Sequence, residues 1–150
     1  AELQHWDAAD VAIAMVRAVS ADDPYITSIC DLVEARTLLG RRQFGRARKL
    51  LDQSLQWNAA TGQWNPEAAL LEGLIDTELG ALDHARDVLT QIVDRIESAD
   101  AFAVRARAIA GLMRLAARTG DQDAYEDAAR RLAQERDSPR LALAHLLQQT

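Results

Sequence analysis

Apolar residues recur along this chain at three- and four-residue intervals, the spacing that gathers them on one side of an α-helix. In the stretch LVEARTLLGRRQFGRARKLL, residues 32–51, Leu32, Ala35, Leu38 and Leu39 follow that period, and Phe44, Ala47 and Leu51 resume it after a break. Val and Ile are present but form no alternating runs bounded by turn residues, as strands would. The pattern predicts an all-α chain of about eight helices, at 2–19, 24–40, 43–58, 66–79, 81–98, 100–119, 121–135 and 138–149. Helix starts are marked by Asp23-Pro24, Asn65-Pro66 and Ser138-Pro139, each a capping side chain followed by a proline at the first helical position. Gly40, Gly80 and Gly120 are spaced for the turns inside helix pairs, where a left-handed residue reverses the chain. The segment NAATGQWNP is the one substantial loop.

The helices are copies of one another. Residues 70–89, LLEGLIDTELGALDHARDVL, align with 32–51 at an offset of 70 − 32 = 38. Under that offset Leu32 meets Leu70, Glu34 meets Glu72, Ala47 meets Ala85, Arg48 meets Arg86 and Leu51 meets Leu89. Ala35 meets Gly73, and Gly111 lies a further 38 residues on, in a weaker third copy whose second half slips so that Ala124 stands for Ala85. A fixed interval of this size marks an array of helix pairs. One pair cannot cover its own apolar face, whereas stacked pairs share a continuous core. The small residues mark where two helices of a pair approach closely. The array makes residues 1–150 a single domain, with pairs at about 24–58, 66–98 and 100–135 and flanking helices at 2–19 and 138–149.

The pattern of small residues, Leu and Ala resembles tetratricopeptide repeats. It lies in Ala35, Leu38, Phe44, Ala47, Leu51, Ser54 and Leu55, then in Gly73, Gly80, Leu82, Ala85 and Leu89, then in Gly111, Gly120 and Ala124. The Ala/Arg/Leu-rich units look like the superhelical regions of large bacterial transcription regulators and scaffolds. The resemblance implies an αα-superhelix whose first helices line a concave surface. The corresponding positions are Ile29, Leu32, Arg36 and Leu39, then Glu67, Leu70, Leu74 and Thr77, then Arg105, Ala108, Leu112 and Leu115. A mostly apolar strip of that kind suits a peptide or an amphipathic helix. It is equally open to being covered by the chain's own first helix or by a second copy, since large bare apolar patches are rare on monomers. Relatives that capture a C-terminal carboxylate use Lys, Asn and Arg, whereas Leu32 and Leu71 hold two such places here.

Charge bears on one rival reading. Arg41, Arg42, Arg46, Arg48 and Lys49 crowd onto one predicted helix, a candidate anion or nucleic-acid site. In the second copy those positions hold Leu79, Gly80, His84, Arg86 and Asp87, so the cluster decorates one unit and is not part of the repeat. The formal net charge of −6 also argues against general affinity for phosphate backbones. A solvated helix face is the plainer account.

Reaction chemistry is not visible. His5, His84 and His145 are far apart, and none has a second His or Cys at metal-ligand spacing. His84 reads as an exposed histidine beside Asp83 and Asp87. The glycines are isolated, so no phosphate-cradling loop exists, and no cofactor is expected. Cys30 sits in an apolar series with Ile26, Ile29 and Val33, where it acts as a small hydrophobe, and a lone cysteine fits a reducing, cytoplasmic setting. The longest apolar run, VAIAMV at 11–16, is too short to cross a bilayer. Trp57 and Trp64 flank the loop and hold it down, with Trp64 the better candidate for a partner contact. The expectation is a non-enzymatic protein–protein interaction module, part of a larger regulator, that binds a protein, peptide or second copy.

Overall fold

The computed structural model describes residues 2–20, 22–96 and 102–136. Seven helices are described: α1 (Glu2–Val19), α2 (Pro24–Gly40), α3 (Phe44–Thr61), α4 (Pro66–Leu79), α5 (Leu82–Arg95), α6 (Phe102–Thr119) and α7 (Gln122–Arg136). The eighth predicted helix, 138–149, lies outside the described residues. α3 runs to Thr61, beyond the predicted 58, so the connection to α4 is shorter than the sequence implied.

Local chemistry sets the starts. Asp23 accepts from the N–H groups of Tyr25 (2.9 Å) and Ile26 (3.3 Å), and Asn65 does the same for Glu67 (3.0 Å) and Ala68 (3.3 Å). These side chains satisfy donors that a first helical turn leaves without partners. Four helix ends close alike. The N–H groups of Gln43, Gln63, Ala81 and Asp121 donate to the carbonyls five residues back, Leu38, Asn58, Asp76 and Ala116. The residue before each donor is left-handed: Arg42, Gly62, Gly80 and Gly120. Gly40 therefore does not have the predicted role, because α2 continues through it and the turn falls two residues later. Arg42 stands 38 residues before Gly80 and takes φ 60° in its place.

Helices α2/α3, α4/α5 and α6/α7 form the closest pairs, and each pair also packs on the next through α3/α4 and α5/α6. α4 has a core on either side. Ala68, Leu71 and Ile75 pack with Ala35, Leu38, Ala47 and Leu51, while Ala69 and Leu70 pack with Leu89, Ile92, Val93 and Ile109. Each fully buried leucine here stabilises the array by about 2 kcal/mol relative to exposure. The small-residue prediction holds at Gly73, which faces Leu89 of its pair-mate α5; Gly111 of α6 meets the same leucine from across the units, so that Leu89 is wedged between the two glycines. The first helices also touch one another, α2 with α4 and α4 with α6. Among the described residues α3, α5 and α7 make no comparable contact with each other. Close first helices and separated second helices curve a stack toward its first-helix side.

Candidate interaction surface

The first helices were expected to present an apolar strip, and the structure divides it. Leu70 is fully enclosed and Leu115 nearly so, as are Thr77 and Ala108. Leu70 is core because its side of α4 faces Leu89 and Ile92 rather than the open side of the stack. Leu32 and Leu39 are half-buried against the first core, and Leu74 and Leu112 against the second. Arg36 is exposed. Arg105 is spent between units, donating from Nη1 to the Ile96 carbonyl at the end of the preceding pair (3.1 Å) and lying 3.2 Å from Glu135 in its own.

Several of the side chains that reach solvent on this side carry charge. Arg107 pairs with Glu67 (3.4 Å), Arg114 pairs with Glu78, and Arg118 donates to the Thr77 carbonyl (2.7 Å). These contacts cross from α6 to α4 and fasten adjacent first helices. With exposed Ile29 and Arg36 on α2 and exposed Ala110 on α6, the row spans three successive helices. This ladder is not visible along the chain because its partners are about 40 residues apart and on different units.

The basic cluster disperses on folding. Arg41 turns to α1, 2.8 Å from Asp10 and 3.7 Å from Asp7. Arg42 occupies the strained turn, and Arg46 donates to Gln43 Oε1 (2.7 Å). Arg48 points inward between α3 and α4, donating to Asp52 (2.9 Å), Asp76 (2.6 Å) and Glu72 (3.3 Å). Burial pulls the Arg48 pKa down, but the charges of Asp76, Asp52 and Glu72 and the Asp76 hydrogen bond outweigh it and hold the guanidinium above its ordinary value. With its carboxylate partners ionised, the stability Arg48 contributes is therefore fully present below the unfolded-state value and fades as pH rises through the folded one. Arg17 behaves alike: burial lowers its pKa, and Asp31 with Glu34 more than restores it.

His84 is less isolated than its sequence neighbours suggested. Its Nδ1 lies 2.7 Å from Asp76 Oδ2 and its Nε2 lies 3.9 Å from Glu72. Glu72, Asp76 and His84 bring ligand-type atoms within 4.8 Å of one another. The Arg48 guanidinium already supplies positive charge to both carboxylates, so the cluster reads as an ion-pair knot tying α3, α4 and α5 together. A crevice of 250 Å³ between α1 and α2 is also lined with charge, from Asp10, Arg17, Glu34, Arg41 and Arg46. There Arg17 pairs with Glu34 and Arg41 with Asp10, so those groups answer each other instead of converging on a substrate-sized space.

Trp64 holds the loop as expected, while Trp57 lies within α3 and braces it against α2. Trp57 meets Tyr25 with ring centroids 5.5 Å apart, and the Arg95 guanidinium sits 5.3 Å from the centre of the Trp64 ring. Trp64 keeps its other side partly exposed. Cys30 is buried. No described helix is long and apolar enough to cross a membrane. No family model, curated protein or solved structure matches the chain, so what the fold and its surfaces say about function comes from their geometry.

Proposed function

We propose that this chain is a non-enzymatic, tetratricopeptide-like interaction module, acting as a regulatory or sensor part of a larger bacterial protein such as a transcription regulator in the cytoplasm. The observation that carries the reading is the row across α2, α4 and α6, where Ile29, Arg36, Leu74, Glu78, Arg107, Ala110 and Arg114 share one side of the stack. Such a surface offers apolar contact flanked by both signs of charge, which suits a peptide or helix that also carries both. Its specificity would reside in charge register, because the leucines expected to grip a partner are largely spent on packing.

The test places a photo-crosslinking residue at Ala110 on the first-helix side, or at Asp87 on exposed α5, in the full chain within extracts of the cells that make it. A discrete adduct is expected at 110 and not at 87, and reversal of Arg36 and Arg114 to Glu should remove it. Equal labelling at both positions, or an adduct indifferent to the reversal, would sink the reading.

A further inference from the structure

The first helix is built inside out. Its charged residues Asp7, Asp10 and Arg17 turn toward α2 and pair with Arg41, Asp31 and Glu34. Of its described side chains only Ile13 joins the core, while Val19 is 87% exposed and Met15 65%. At about 100° per residue, Val11, Met15, Ala8, Val19, Ala12 and Val16 fall in an arc of about 140° that contains no Asp, Glu, Lys or Arg, with Gln4 and His5 its polar members near the start of the helix. One packed neighbour needs an apolar stripe of only about 100°.

The internal repeat says what one edge of this arc is for. Thirty-eight residues before Ala47 and Leu51 stand Ala9 and Ile13, so α1 occupies the place of a second helix in a pair. The first helix of that pair is not among the described elements. Val16 holds the position of Ser54 and Ile92, and Val33 on α2 holds that of Leu71. Those three equivalents are 0–1% exposed, whereas Val16 is 45% and Val33 43% exposed. An open slot for one helix thus lies beside α1 and α2.

The geometry points to α1 of a second copy as the occupant, placed antiparallel in this slot so that each copy completes the other's end pair. A single foreign amphipathic helix would cover Val16, Val19 and Val33 but leave Val11 and Met15 bare. Two-fold pairing covers both edges, because the α1 that fills the slot also meets α2 of the other copy with its outer side. The arc has no Asp, Glu, Lys or Arg to repel its symmetry mate, and Ala8 and Ala12 permit close approach. The contact is self-complementary and closes as a dimer, without propagating into a fibre. An 18-residue helix is about 27 Å long, and with α2 beside it the face is about 20 Å wide. That footprint of about 540 Å² is about two-thirds of the roughly 800 Å² per partner of a standard interface, and twice over it reaches the roughly 1,000 Å² total at which specific interfaces begin. This surface is separate from the row proposed for partner binding, so either can fail alone.

Light scattering on the full chain at about 100 μM should return twice the 16.5 kDa chain mass. Ala12→Arg, at an exposed position with a good helix former, should weaken the dimer at least ~10-fold while leaving helical circular dichroism unchanged. Val33→Asp should do the same from the α2 side. A monomeric wild type at that concentration, or a dimer that Ala12→Arg leaves intact, overturns the assignment.

Discussion

Arg42 is the residue at which the repeat is least satisfied. It holds a left-handed conformation at the turn between α2 and α3, where the next unit has Gly80 and the one after has Gly120. An L-residue with a β-carbon is disfavoured there by about 1–2 kcal/mol. Arg42→Gly should therefore stabilise the chain by about 1 kcal/mol, less a few tenths for the extra freedom of glycine in the unfolded state. Urea denaturation reads this as a raised midpoint at unchanged slope. A lowered midpoint would mean that the arginine makes a contact worth more than its strain. The same position shows what short-range reading can miss. Gly40 has the composition of a turn, yet the hydrogen bond from the Gln43 N–H to the Leu38 carbonyl places the reversal at residue 42. The offset that pairs Arg42 with Gly80 was the better guide than the glycine itself.

Between elements, Leu89 is the contact on which two helix crossings depend. A β-carbon on Gly73 would lie 2.6 Å from Leu89 Cγ and 2.7 Å from Cδ2, and Cγ is a branch point that cannot swing away on its own. On Gly111 it would lie 3.1 Å from Leu89 Cδ1 and 3.2 Å from Leu74 Cδ2, both methyl ends. Alanine gains about 1 kcal/mol of helix propensity over glycine in either place. Overpacking of about 1–3 kcal/mol should outweigh that gain at 73, so Gly73→Ala is expected to destabilise by about 1–2 kcal/mol. Gly111→Ala should stay within about 0.5 kcal/mol of wild type, because its neighbours can give. Equal losses from the two substitutions would contradict the wedge geometry.

The helix pairs were legible because Ala35, Gly73 and Gly111 recur at one interval and because caps and periodicity are local signals. Which side of a first helix is covered was not legible. Leu70 and Val33 are both apolar residues on first helices, but one has a neighbouring unit against it and the other does not. Arg48 was likewise read as surface decoration, since Asp76, the acid that draws it inward, is 28 positions away and on the next unit.

For the molecule as a whole, the described array is held unevenly. Its middle is fastened by grease on both sides of α4, whereas the described side chains of α1 are fastened chiefly by ions, with Ile13 the one buried among them. Exposed and part-exposed ion pairs weaken as the screening length falls from about 10 Å at 0.1 M salt to about 3 Å at 1 M. Hydrogen exchange on the Ala12→Arg chain, where no second copy can shield the helix, should accordingly quicken by about 10-fold in α1 over that range and stay unchanged in α4. Uniform exchange across both helices would show that α1 belongs to the same cooperative unit as the rest. A helix clasped by charge has a consequence that a greasy seam would not. It can peel away and return without breaching the interior, so ionic conditions alone could decide whether this end of the stack is shut or available.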